Sequence, residues 1–179
     1  RYDGTEWYDE NGYNLEGVAN NNQDSSNLFY WVRLAPRPGT NQIAFLGMGC
    51  EGGTYTPTSA AVEAMVWDGS RELWDSSSKI LLSWPDTGPD GVTPQNVTGT
   101  EAIDIDFVLT GTNAGEALAI WGTEEKVWAN VWNNSTDWSG NMTAADLGAG
   151  NTVHWLRQKA SKNSDDLIIA IEDVNEQIY

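Results

Sequence analysis

Apolar residues occur along the chain in short runs that are bounded by Gly, Pro, Asn, Asp or Ser, and no apolar stripe of helical period accompanies them. The clearest run places apolar side chains at Ile103, Ile105 and Phe107 and carboxylates at Asp104 and Asp106. A period of two is typical of a β-strand whose two faces meet different surroundings. We therefore expect an all-β chain in which Asp104 and Asp106 share one solvated strand face.

The expected strands fall into three sets that repeat one order of strand, polar turn, apolar strand and further strand. Their positions are 27–35, 42–48, 61–68 and 79–84, then 102–110, 116–121 and 126–133, and then 152–158, 166–172 and 176–179. The connectors 36–41, 111–115 and 159–165 have hairpin length and are rich in turn residues. This order predicts tandem four-stranded antiparallel units of the kind that form the blades of a β-propeller.

A phrase of the form W-D-G-S-x-x-x-W occurs in full at 67–74 and in degraded form at 2–7 and 132–138. Its Asp3, Asp68 and Asn133 positions are 65 residues apart each time. In the register of the expected strands, the phrase forms the turn between the third and fourth strands of a unit. The spacing therefore predicts about three repeats.

We expect one repeat domain over 1–179, with units at about 11–84, 100–142 and 150–179. The segment 1–10 would supply the turn and fourth strand that the last unit lacks, and such closure removes exposed sheet edges. Three units make a tight ring. Other copies of the chain, or other segments of a longer surface protein, are therefore the expected partners.

The phrase W-D-G-x-x-W resembles the repeats of fucose-type propeller lectins and of related bacterial and archaeal surface propellers. It is similar, more distantly, to the Asp-box turns of sialidase-like propellers. The resemblance implies a propeller fold at a surface, but no sugar site follows from it. Fucose-type lectins have an Arg on the second strand of each blade, and 42–48, 116–121 and 166–171 contain none. Sialidases hold a carboxylate with an arginine cluster, and this chain has only Arg1, Arg33, Arg37, Arg71 and Arg157.

Composition excludes several classes of function. The chain has 26 Asp and Glu against 9 Lys and Arg, for a net charge of −17, which disfavours nucleic acid and anionic lipid as partners. No apolar run is long enough to insert into a membrane. Cys50 and His154 are the single members of their types and form no catalytic set. We therefore expect a protein that is not an enzyme and has no cofactor, with Ca²⁺ as the alternative that so many carboxylates leave open.

Ten Trp residues raise the question of sugar binding, because a flat indole ring can stack on a pyranose. Trp7, Trp74 and Trp138 hold equivalent places and are expected to pack between blades. Trp84 and Trp121 lie near strand ends beside turn residues and are the candidate ligand-binding positions, although packing is the role that we favour for both. A carboxylate pair at Asp104 and Asp106 is the corresponding candidate for glycosidase chemistry.

Sequons mark four Asn residues as candidate glycosylation sites, if the chain is exported through a glycosylating pathway: Asn96, Asn133, Asn134 and Asn141. The sequence therefore favours a non-enzymatic β-propeller module of an extracellular or cell-surface protein, for structure, adhesion or recognition. Two alternatives stay open at this point, namely a carbohydrate-binding lectin that uses exposed Trp and a glycoside-processing enzyme.

Overall fold

The computed structural model describes residues 28–50, 60–70, 73–74, 80–83, 101–133, 138–140 and 142–179. Within these ranges the chain forms strands and turns and no helix. The eleven strands are β1 (Leu28–Pro36), β2 (Gln42–Cys50), β3 (Ala60–Asp68), β4 (Leu73–Trp74), β5 (Ile80–Ser83), β6 (Ile103–Phe107), β7 (Ala117–Gly122), β8 (Lys126–Trp132), β9 (Met142–Asp146), β10 (Val153–Ala160) and β11 (Leu167–Asp173). The expected all-β class is confirmed.

The strands form three antiparallel sheets that follow one another along the chain. The first sheet has the order β1-β2-β3, and β4 and β5 pair with different parts of β3, as two pieces along one strand. The second sheet is a four-stranded meander, β6-β7-β8-β9. The third sheet pairs β10 with β11, and a bridge between Glu172 and Ile178 starts a further pairing against β11. Among the described residues, only the second sheet consists of the four antiparallel strands that were expected of each unit.

The W-D-G phrase forms a turn that brings its two Trp residues opposite each other. Trp67 on β3 pairs with Trp74 on β4, and Trp132 pairs with Trp138 in the same way in the second sheet. Gly69 in the first turn donates its amide to the Asn41 carbonyl at 3.1 Å, and a Cβ at this position would collide with Asn41. The glycine of the phrase is therefore required by the close approach of the neighbouring hairpin turn.

The second sheet is covered on both faces. Alternate residues of β6 and β7 face the first sheet in one hydrophobic core, and the other residues of β7 face the third sheet in a second core. The first core contains Ile103, Ile105, Phe107, Ala117, Ala119 and Trp121 from these strands. The second contains Ile120, with Leu118 packed against it, beside Val153, Leu156 and Ile171 of the third sheet. The strict alternation read from the sequence thus separates two cores rather than a core and solvent.

The hairpin turns of consecutive sheets also contact one another. Thr112, in the turn after β6, donates its amide and its hydroxyl to the Asp165 carboxylate in the turn after β10, at 3.1 and 3.0 Å. The guanidinium of Arg37, in the turn after β1, occupies the space where a Cβ on Gly115 would lie. Both Gly111 and Gly115 have positive φ. These contacts fix the three sheets relative to one another at one end.

Some boundaries differ from those expected. The strand β9 runs to Asp146, past residue 142 where the second unit was expected to end, because its mostly exposed residues show no regular alternation of apolar and polar positions. The segment 1–10, expected to complete the last unit, lies outside the described residues. No helix within the described ranges is long and apolar enough to span a membrane.

Candidate functional site

The two carboxylates of β6 are buried, and the expectation of a solvated acidic face is wrong. Asp104 and Asp106 are each only 8 % exposed. Their strand face points to the third sheet, where β10 runs alongside β6. A period of two shows that the two faces of a strand differ. It does not show that the polar face is exposed to solvent, because another sheet can cover that face.

Each of these carboxylates accepts a backbone amide from β10. Asp104 Oδ2 accepts from the amide of Gln158 at 2.7 Å, and Asp106 Oδ2 accepts from the amide of Ala160 at 3.1 Å. The two donors lie two residues apart, as do the two acceptors. Since alternate amides of a strand point to the same edge, the aspartates together cap one edge of β10.

The second oxygen of each carboxylate caps the edge of β6 itself. Asp104 Oδ1 accepts from the amide of Ile105 at 3.0 Å, and Asp106 Oδ1 accepts from the amide of Phe107 at 3.0 Å. Each aspartate therefore accepts hydrogen bonds from backbone amides of two strands, β6 and β10, that do not pair with each other. A buried amide without an acceptor would cost about 1–3 kcal/mol, so this arrangement stabilises the contact between the sheets.

Three cationic side chains compensate the acids at this junction. Lys159 Nζ lies 2.8 Å from Asp106 Oδ2, and Arg33 Nε on β1 lies 3.9 Å from Asp104 Oδ1. The Glu101 carboxylate, just before β6, accepts hydrogen bonds from the guanidinium groups of both Arg33 and Arg157. We call Arg33, Glu101, Asp104, Asp106, Arg157 and Lys159 the inter-sheet polar cluster. It joins all three sheets, because β1, β6 and β10 each contribute to it.

Neighbouring groups hold the cluster in place on the third sheet. The guanidinium of Arg157 lies 5.0 Å from the centroid of the Trp155 ring and donates to the Leu156 carbonyl at 2.6 Å. Gln158, which is buried, donates its side-chain amide to the Leu118 carbonyl on β7 at 2.5 Å. These contacts add a cation–π interaction and a further hydrogen bond between sheets.

The electrostatic balance of the cluster is reflected in two pKa values. Burial raises the pKa of the Asp104 carboxyl above its ordinary value. Hydrogen bonds from the amides of Gln158 and Ile105 act in the opposite direction and do not offset the burial. Burial also lowers the pKa of Arg33, and the nearby positive charge of Arg157 adds to this effect. Asp104 is therefore held in place at an electrostatic cost.

A third buried carboxylate organises the turn that follows β11. Asp173 is fully buried, and its Oδ1 accepts from the amides of Asn175 and Gln177 at 2.8 and 2.9 Å. Its Oδ2 accepts from the Tyr179 hydroxyl at 3.3 Å. Burial acts to raise the pKa of Asp173, but these hydrogen bonds outweigh it and hold the pKa below its ordinary value. The carboxylate thus returns the chain to β11, where Tyr179 and Ile171 exchange backbone hydrogen bonds.

The structure places the expected ligand-binding Trp121 in the core. Its side chain is 0 % exposed and packs between the first and second sheets, opposite Trp128 on the neighbouring strand. Trp121 is therefore not an exposed platform for a ligand, and its burial agrees with the packing role that the sequence favoured for it. Trp84, the other candidate, lies outside the described residues.

Of the sequon residues, Asn133 is exposed just after β8, at a position that a glycan can reach. Asn96, Asn134 and Asn141 fall in segments that the structure does not describe. Among the residues with a described placement, no group of three or more His, Cys, Asp or Glu is arranged to hold a metal ion. His154 is exposed.

The sequence did not reveal that Arg33 and Arg157 meet at Glu101. Their strands belong to different sheets, and only the stacking of those sheets brings the side chains together. A comparison of the chain with protein-family models, with curated proteins and with solved structures finds no match.

Proposed function

We propose that this chain is a non-enzymatic, β-propeller-type module of an extracellular or cell-surface protein, which serves structure, adhesion or recognition as part of a longer or assembled protein. The observation that carries the proposal is the engagement of Asp104 and Asp106, whose four carboxylate oxygens all accept backbone amides. A catalytic acid or nucleophile must reach the substrate. Carboxylates that join two sheets are instead parts of a scaffold.

The contacts between sheets support the propeller-type arrangement. The first strands of consecutive sheets, β1, β6 and β10, lie against one another, as the innermost strands of neighbouring blades do. The polar cluster lies among these strands. A ring of such sheets, with further blades from the same or another chain, is the arrangement we propose.

Charge and composition support a surface location. A net charge of −17 favours solubility and disfavours binding to anionic polymers. The exposed Asn133 is an acceptor that a glycosylating pathway could modify. Stability comes from packing and ion pairs, since the single cysteine cannot form a disulfide within the chain.

The test measures hydrolysis of a panel of aryl glycosides by the 179-residue chain and by its Asp104→Asn variant, beside the unfolding of both proteins. We expect both to match the protein-free blank, and we expect the variant to differ from wild type in unfolding. Turnover by the wild type that disappears in a folded Asp104→Asn variant would overturn the proposal in favour of a glycoside-processing enzyme. On a glycan array, wild-type binding that is lost in a folded Trp84→Ala variant would favour a lectin.

A further inference from the structure

The outer edge of β11 carries two backbone amides that have no acceptor among the described residues. On β10, the amides of Gln158 and Ala160 point to β6. Their cross-strand partners on β11 are Ile169 and Leu167. In an antiparallel pair, residues opposite each other either exchange both backbone hydrogen bonds or both point away from the shared ladder. The amides of Leu167 and Ile169 therefore point to the open edge of β11.

A third strand begins at the other end of this edge. Ile171 and Tyr179 exchange backbone hydrogen bonds at 3.3 and 2.9 Å. Glu172 and Ile178 form the adjoining bridge. Within the described residues, this pairing stops at Ile171, two residues before Ile169. The edge is thus shaped for a third strand, and its first half is open.

The other two sheets show what lies along the equivalent edge. In the first sheet, Trp67 on β3 lies opposite Ile43 on β2. In the second sheet, Trp132 on β8 lies opposite Ala117, the first residue of β7. Both Trp residues are the first aromatic residue of a W-D-G phrase. One place on the second strand of each sheet is therefore paired with the start of the phrase.

The hairpins identify the same place in the third sheet. Each hairpin closes with a backbone hydrogen bond of 2.9 Å to the carbonyl of one residue, and these acceptors are Gln42, Glu116 and Asp166. Ile43 and Ala117 directly follow the first two acceptors, and Leu167 directly follows the third. Leu167 is therefore equivalent to Ile43 and Ala117, and its open edge lacks the aromatic partner that they have.

We propose that segment 1–10 of the same chain pairs with this edge of β11, with Tyr2 opposite Leu167. The phrase copies at 67–74 and 132–138 belong to the first and second sheets, which leaves the copy at 2–7 for the third. Tyr2 is the first aromatic residue of that copy. Tyr2 and Leu167 then exchange backbone hydrogen bonds, and Arg1 lies opposite Ile168. The inference rests on the repeated units of the proposed module and gives the expected closure an acceptor strand and a register.

Chain length and charge favour the segment of the same copy over that of a second copy. Residues 11–27 connect the segment to β1, and these 17 residues can span about 55 Å. Stacked sheets lie about 10 Å apart, so the third sheet is within this reach of the first. A tethered segment has an effective concentration on the order of 1 mM. Two copies with a net charge of −17 each repel one another instead.

The first experiment measures amide hydrogen exchange of Leu167 by NMR in the 179-residue chain. We expect protection in wild type and a loss of at least about tenfold in Tyr2→Pro, because proline cannot donate to the Leu167 carbonyl. Asn21→Pro is the matched control, since it introduces the same residue outside segment 1–10, and we expect it to leave the protection unchanged. The amide of Ile171 should stay protected in all three proteins, because Tyr179 accepts it.

A disulfide test in a Cys50→Ala background identifies which copy supplies the segment. Arg1→Cys with Ile168→Cys places two thiols at a non-hydrogen-bonded pair, where the Cα atoms lie about 4.5 Å apart and a disulfide can form. Arg1→Cys with Val174→Cys is the control. Val174 is 51 % exposed, as Ile168 is also exposed, but it lies past the end of β11.

We expect the Ile168 pair to form a disulfide within one chain, seen as a monomer by non-reducing electrophoresis and located by mass spectrometry. The Val174 pair should form at least about tenfold less of it. A disulfide that links two chains overturns the assignment to the same copy. Fast exchange of Leu167 in wild type, or the absence of the Ile168 disulfide, overturns the inference as a whole. These readouts are separate from glycoside hydrolysis and glycan binding, which test the proposed function.

Discussion

The carboxylate of Asp104 on β6 accepts the backbone amide of Gln158 on β10, with 2.7 Å between Oδ2 and N. Two strands that do not pair in one sheet are thereby joined through a side chain. Asp106 and Ala160 repeat the contact two residues further along. Strand edges that would otherwise present bare amides are closed in this way, which protects them from pairing with other chains.

Removal of one of these carboxylates should destabilise the fold. In Asp106→Ala, the amides of Phe107 and Ala160 lose their acceptor, and we expect the free energy of unfolding to fall by about 1–3 kcal/mol. Urea unfolding followed by tryptophan fluorescence measures the change. Asp146→Ala is the control, since Asp146 is exposed and water can replace its bond to Gly148. Equal losses in the two variants would contradict the proposed role of Asp106.

The raised pKa of Asp104 predicts how its contribution to stability varies with pH. Because the folded-state pKa lies above the ordinary value of 3.8, this contribution is fully present below that value and is lost as the pH rises through the folded-state pKa. The difference in free energy of unfolding between wild type and Asp104→Asn should therefore change in the direction of a less stable wild type as the pH rises through this window. Urea titrations at a series of pH values test this. A difference that does not vary with pH would show that burial does not perturb Asp104.

Asp173 and Tyr179 should also make the free energy of unfolding depend on pH. The contribution of Asp173 should be lost at low pH, opposite to that of Asp104, and the contribution of Tyr179 should be lost at high pH. The pKa of Asp173 is lowered, so its stabilisation is present above the ordinary value and is lost as the pH falls through the folded-state pKa. Burial, followed by the charge of Asp173, raises the pKa of Tyr179, so its stabilisation is lost as the pH rises through that raised value. Thermal unfolding should show the acid effect in wild type but not in Asp173→Asn. Tyr179→Phe should remove the alkaline effect, and an alkaline profile identical to that of wild type would argue against the hydrogen bond.

Glu101 accepts hydrogen bonds from the guanidinium groups of Arg33 and Arg157. Removal of its negative charge should leave the repulsion between these two positive groups uncompensated. We expect Glu101→Gln to lower the free energy of unfolding by about 1 kcal/mol or less, because the groups are partly exposed. The double variant Glu101→Gln, Arg33→Gln should lose less than the sum of the single variants. Double-mutant cycles at low and high NaCl measure this coupling, which salt should reduce. Strict additivity at low salt would mean that the three side chains do not act together.

Much of the fold could be predicted from the sequence. The alternation at Ile103, Ile105 and Phe107 indicated β6, and the W-D-G phrase indicated the turn that sets Trp67 opposite Trp74. The strand β9 gave no such signal, since its side chains are mostly exposed and its apolar residues Met142, Ala144 and Ala145 do not alternate with polar ones. Local pattern thus identified strands that bury a face and missed one that does not.

The site was harder to predict, for a physical reason. The sequence placed Asp104 and Asp106 on one face correctly, but whether that face meets water or another sheet depends on residues more than fifty positions away. Trp121 shows the same limit, because a residue beside a turn can still lie under a neighbouring sheet. The one signal in the sequence was the strand β10 itself. The backbone amides at a buried strand edge need acceptors, and those acceptors had to come from another part of the chain.

The most direct test of the central claim is amide hydrogen exchange of Gln158 and Ala160, measured by NMR in wild type, Asp104→Ala and Asp106→Ala. We predict that both amides are protected in wild type, that Gln158 loses protection in Asp104→Ala, and that Ala160 loses it in Asp106→Ala. The amides of β7 in the middle of the second sheet should stay protected in folded variants. Fast exchange of Gln158 and Ala160 in wild type, or protection that survives both substitutions, would contradict the claim that these aspartates join the second and third sheets.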